Sequence, residues 1–157
     1  DELKYIQGVI NIINNIYERY FHTSSMLLEH GSTEKGRHSQ SIVHAHLHLI
    51  PFAFSKEIES KLFSELQLKP IETFENIKIN EKLDYWLYCN SEGRYYTSSN
   101  VLDAQRSIFM NLIAEQLKLP LPYEWRKSVT KKEYIDEMVN IFNDNRKLLE
   151  KYNVTSK

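Results

Sequence analysis

The sequence predicts an α+β domain, an antiparallel sheet with a long N-terminal helix and C-terminal helices packed on it, and three observations predict that class. A helical period opens the chain, with Leu3, Ile6, Ile10, Ile13 and Tyr17 three and four residues apart. Short apolar or alternating stretches follow, bounded by turn residues, as strands are. Helical and extended patterns then mix without strict βαβ alternation.

Taken in order, residues 2–20 form the first amphipathic helix. Ser25-Met26-Leu27-Leu28-Glu29 reads as a buried strand ending at Gly31. The polar stretch from Gly31 to His38 carries two of the four glycines and reads as a loop. Ser41 to Ile50 alternates with period two and stops at Pro51, which cannot donate to a strand ladder. Residues 55–68 suit a helix, with Ser55 as its N-cap and Lys69-Pro70 as its stop. Leu83 to Cys89 is aromatic and strand-like. Asn90-Ser91-Glu92-Gly93 then reads as a hairpin turn into Arg94-Tyr95-Tyr96-Thr97. Residues 103–118 are helical, with Ile108, Leu112 and Leu117 among the apolar positions, and Pro120 and Pro122 break the chain. Residues 130–151 form a last amphipathic helix, with Thr130 as cap and Glu133 in the capping-box position. It is read as a covering helix or a dimer element. No internal repeat or low-complexity tract occurs.

At 157 residues the chain is one domain, large enough to bury a core. The composition, 41% hydrophobic and 26% charged, excludes a disordered chain. No apolar run approaches the roughly 20 residues needed to cross a membrane. Asp1 to Ile10 lacks a basic stretch followed by an apolar core, so no secretory signal is expected there. The formal net charge is −1, so no broad affinity for nucleic acid or anionic lipid is expected and any phosphate site must be local. Cys89 stands alone, which rules out a disulfide within the chain, reads as a buried small apolar residue and favours a reducing, cytoplasmic setting.

One segment concentrates chemistry. In Ser41-Ile42-Val43-His44-Ala45-His46-Leu47-His48-Leu49-Ile50, three of the six histidines fall within five residues. A spacing of two puts all three on one face of a strand, with Val43, Ala45, Leu47 and Leu49 on the other. A single histidine on a strand is usually structural. Three in a row need hydrogen-bond partners if buried and repel one another if protonated, so a core gains nothing from them.

Metal binding is the competing reading, because imidazole suits zinc, copper and iron. His44 and His48 stand about 13 Å apart at Cα on a regular strand, too far to share one ion easily. A metal would therefore take two of the three, with His30 or Glu29 as further ligands. A row of that length instead suits an extended polyanion such as a nucleotide phosphate chain. Histidine can also attack phosphorus and form a covalent intermediate that water clears. Its ordinary pKa of about 6.5 leaves the neutral nucleophile present at cellular pH.

His44-Ala45-His46-Leu47-His48-Leu49-Ile50 resembles the motif of the histidine-triad family, His-φ-His-φ-His-φ-φ with φ apolar. Gln40-Ser41 sits where that family carries a Gln-Ser or Gln-Thr pair. The order helix, short strand with Gly31, loop and triad strand is similar as well. Leu112 to Leu117, Pro120 and Trp125-Arg126 resemble the C-terminal helix and tail of some bacterial members. Laid on the family, the chain is a single domain over 1–157 with a helical extension at 130–157, and its fold is a histidine-triad-like antiparallel sheet.

The resemblance implies a nucleotide hydrolase or nucleotidyltransferase. His46 would attack the α-phosphate, His48 would serve the leaving group, and His44 would orient the pair. Gln40 and Ser41 would donate to phosphate oxygens. Glu29, His30 and Gly31 stand where many members have Asn-x-Gly and are expected at the substrate. Glu29, unfavourable beside a phosphate, is read as binding sugar hydroxyls or pointing away. Nucleoside phosphoramidates, dinucleoside polyphosphates and nucleotidyl-sulfate or -sugar compounds are the implied substrates. No cofactor is required and no protein-held metal is implied, although a divalent metal can enter with the substrate. A homodimer is implied, with a nucleotide-sized partner and neither nucleic acid nor membrane.

The family has strands before its first long helix, and this chain begins at that helix. Either a preceding segment is missing or the base pocket is built otherwise, so base preference is not readable. Lys35, Arg37 and His38 are loop charges or phosphate contacts. Gln105-Arg106 stands near a Gln and an Arg of the family's C-terminal helix. Trp125-Arg126 either closes over the site or packs. Tyr85, Trp86, Tyr88, Tyr95 and Tyr96 read as cross-strand packing, with stacking on a base as the alternative. Two other functions compete: a metal-dependent enzyme using two of the histidines, and a non-catalytic nucleotide-binding module.

Overall fold

The computed structural model describes residues 2–31, 47–73, 84–99, 107–121 and 131–150. Helix α1 spans Glu2–Phe21 and leads into strand β1, Met26–Gly31. Strand β2 is His48–Ile50, and helix α2, Lys56–Leu66, precedes strand β3, Lys69–Ile71. Strands β4, Tyr85–Cys89, and β5, Tyr95–Ser98, are followed by helices α3, Ile108–Gln116, α4, Lys132–Asp144, and α5, Arg146–Glu150. The architecture is therefore α+β. Among the described residues the strands make one sheet in the order β2-β1-β4-β5-β3, antiparallel at every pairing.

Alternation along the strands divides the core in two. Met26, Leu28, Trp86 and Tyr88 face α2 and α3, where they meet Ile58, Leu62, Leu66, Phe109 and Leu112. Leu27, Leu87 and Cys89 face the other way and meet Ile10 of α1, with Leu47 and Leu49 packed at the margin. The expected aromatic cluster is divided between the two faces: Tyr88 stacks across the strands on Tyr96 at 6.0 Å, with Phe63 of α2 4.6 Å from Tyr96, while Tyr85 and Tyr95 pack on the α1 side.

Local chemistry explains where elements start and stop. The β4–β5 turn is held by Asn90, whose Oδ1 accepts the backbone N–H groups of Glu92 (3.1 Å) and Arg94 (2.9 Å). Gly93 there has φ +80°, a conformation that favours glycine. Ser55 caps α2 as expected, its hydroxyl accepting from the Ile58 N–H at 3.3 Å. The helix ends earlier than the proline stop: Gln67 turns left-handed (φ +52°) and the Leu68 N–H closes on the Phe63 carbonyl. Lys69-Pro70 then does more than end a helix. It belongs to β3 at the edge of the sheet, where the missing proline N–H does least harm. At the opposite edge, the Tyr17 hydroxyl donates to the Leu49 carbonyl of β2.

The expected single helix over 130–151 is two. Its N-cap is Lys131, with no side-chain cap bond, and it breaks at Asn145. The Asn145 amide donates to the Ile141 carbonyl at 2.7 Å, the acceptor its own backbone N–H would use to continue the helix. The backbone N–H turns to Phe142 instead, and Asn145 also donates to the Tyr20 hydroxyl of α1. The start expected at residue 103 for the preceding helix lies outside the described residues. Among the described residues no helix is long and apolar enough to cross a membrane.

Candidate active site

Gln40, Ser41, His44 and His46 lie outside the described residues, as do Lys35, Arg37, His38, Gln105, Arg106, Trp125 and Arg126. The site can be built from His48, Glu29, His30 and Gly31 and from what surrounds them.

His48 is the first residue of β2 and is exposed. It pairs with Leu28 of β1, so both side chains leave the sheet on the α2/α3 face. Leu47 and Leu49, its neighbours in sequence, pack against the Leu27–Leu87 cluster on the α1 face. Over residues 47–49 the strand thus keeps its apolar anchor on one side and an imidazole on the other.

His30 shares that face, two residues beyond Leu28. It pairs across β4 with Trp86, and the rings stack with centroids 4.4 Å apart and planes 23° apart. Trp86 is 2% exposed and meets the edge of Phe109 at 5.4 Å. Its indole N–H is buried and has no hydrogen-bond acceptor among the described residues. The result is a rigid aromatic wall behind His30, on the face from which His48 projects.

Glu29 and Gly31 sit on the other face. Glu29 is 4% exposed and accepts a hydrogen bond from the Tyr85 hydroxyl. Burial first, and then the Glu29 charge, push the Tyr85 pKa well above its ordinary value, so the phenol keeps its proton. The Tyr85 ring lies across Gly31: a Cβ there would come within 2.0 Å of ring carbon Cε1. Glycine is needed at 31 for that close approach. Of the three residues expected at the substrate, the fold therefore brings His30 to the His48 face and turns Glu29 towards α1.

The contact between Trp86 and His30 is what sequence reasoning did not foresee. The aromatic, strand-like stretch from Leu83 to Cys89 pointed to cross-strand packing, but the pairing of Trp86 with His30 follows from the β1–β4 register, which no local pattern encodes. Among the described residues no group of three His, Cys, Asp or Glu side chains is placed to hold a metal ion.

No family model, curated protein or solved structure matches the chain.

Proposed function

We propose that the chain is a histidine-triad-like nucleotide hydrolase or nucleotidyltransferase that works through a nucleotidyl-histidine at His46. The observation that carries this reading is the alternation around His48: an exposed imidazole on one face, flanked by Leu47 and Leu49 packed on the other. A row of imidazoles needs this anchoring to face a ligand together, and the reading demands that His44 and His46 keep it.

In the proposed reaction a ring nitrogen of His46 attacks the α-phosphorus. An N–P bond forms as the bond from phosphorus to the leaving group breaks. His48 supplies a proton to the departing oxygen or nitrogen. Water, or a second acceptor, then attacks the same phosphorus, releases the nucleotide and returns His46 to its free state. His44 orients the pair. Gln40 and Ser41 donate to the phosphate oxygens as charge moves onto them. His30, backed by Trp86, forms the wall of the site on the β1 side, and the enzyme acts as a homodimer.

Turnover of a nucleoside phosphoramidate tests this. The wild-type chain is expected to release nucleotide without added metal and to keep its rate in a chelator. His46→Asn is expected to cut the rate by at least about a thousandfold, the usual scale for losing a covalent nucleophile. Equal rates in the two proteins would exclude the mechanism.

A further inference from the structure

A cavity lies on the face of the sheet opposite His48, between α1 and the β4–β5 turn, with a volume of about 570 Å³. That size lies within the range of small-molecule sites. Its floor is apolar: Ile10, Leu27 and Cys89, all buried. Asn11 and Asn14 of α1 form one wall, and the turn residues Asn90 to Gly93 form another.

Charge is what selects the occupant. Glu18, Glu72 and Glu92 line the cavity, and no Lys, Arg or His does so among the described residues. Glu92 is already paired with Arg94 at 3.0 Å. Glu18 and Glu72 are both exposed, and among the described residues Glu18 accepts only the Ser24 hydroxyl and neither carboxylate has a cationic partner. The remaining ionisable groups add no further charge at neutral pH. Burial pushes the Cys89 thiol up to about 11 and the Tyr95 phenol up to about 12, so both stay protonated. An apolar floor beside two carboxylates that have no cationic partner among the described residues disfavours phosphates and other anions and suits a cation with a short hydrocarbon body.

We propose that this cavity binds a small organic cation, an ammonium or guanidinium carried on a short apolar chain. It is a site separate from the histidine face and does not depend on the nucleotide reading. Its residues belong to the other core cluster and to the end of β1 away from His30.

Agmatine is a suitable probe, with 1,4-butanediol as the uncharged control of similar length. Titration of the full chain, followed by backbone amide NMR, is expected to shift Asn14, Ser25 and Asn90 with agmatine and not with the diol. Single Glu18→Gln and Glu72→Gln variants are expected to weaken agmatine binding by up to about fivefold each, the scale of an exposed ion pair. Their thermal midpoints should match the wild type. Should a variant fail to fold, the wild-type salt series decides: affinity must fall as ionic strength rises. No agmatine shift, an equal response to the diol, or an affinity indifferent to both carboxylates and salt would overturn the proposal.

Discussion

The two faces of β1 treat their polar residues in opposite ways. On the α1 face, Glu29 is buried and accepts a hydrogen bond from the hydroxyl of Tyr85, the same residue whose ring requires glycine at 31. On the α2/α3 face, His30 is held flat against Trp86, and the next strand outward carries His48 into solvent. One residue of offset separates a carboxylate closed into the fold from an imidazole beside an open surface. Period two makes such a division inexpensive: the apolar partners of each group lie on its own side, so one face can be fixed without constraining the other.

Substitutions on the two faces should separate their roles. The largest effect is expected from Trp86→Ala, which empties the centre of the α2/α3 core. The urea midpoint should fall by the equivalent of about 3 to 5 kcal/mol. Trp86→Phe, which keeps an aromatic ring and deletes an N–H that has no acceptor among the described residues, should stay within about 1.5 kcal/mol of the wild type. A loss as large as that of alanine would mean the indole nitrogen has an acceptor.

Gly31→Ala should cost about 1 to 3 kcal/mol by the same measurement, because its Cβ collides with Tyr85. Tyr85→Leu in the same chain should recover part of that loss. Without any recovery the close approach is not the reason for the glycine.

Glu29→Gln and His30→Gln test the division directly. Glu29→Gln is expected to lower stability by about 1 to 2 kcal/mol, through the Tyr85 hydrogen bond, while leaving turnover within about twofold. His30→Gln is expected to do the reverse, with little loss of stability and a rise in KM. An inactive but fully stable Glu29→Gln protein would place the carboxylate at the substrate and end the contrast.

The smallest effect expected is alkaline. The Tyr95 pKa is raised from 10.0 to about 12, chiefly by burial, and those of Tyr85 and Tyr88 are raised as well. A raised folded-state pKa for an acid means that the unfolded chain ionises first. The contribution is therefore intact below pH 10 and is lost as pH climbs from about 10 towards 12. A denaturation series over that window should show the decline, and Tyr95→Phe should reduce it.

What could be read from the sequence was what local pattern controls. The α1 period, the Asn90–Gly93 turn and the Ser55 cap each rest on neighbours within a few residues, and the fold contains all three. β3 escaped because three residues with a central proline carry almost no periodicity; its strand state comes from pairing with β5. The break at Asn145 escaped because it depends on a side-chain bond competing with the backbone. On the site, the opposite facing of His48 and its neighbours Leu47 and Leu49 followed from period two. The contact between His30 and Trp86 needed the register of two strands more than fifty residues apart in sequence.

In the proposed mechanism His46 bonds covalently to phosphorus during turnover. Mixing the chain with a nucleoside phosphoramidate, quenching within a turnover in alkaline denaturant and mapping peptides by mass spectrometry tests it most directly. One nucleotidyl group is expected on His46, lost on longer incubation and absent from His46→Asn. Turnover with no adduct, or an adduct on a different residue, would contradict it.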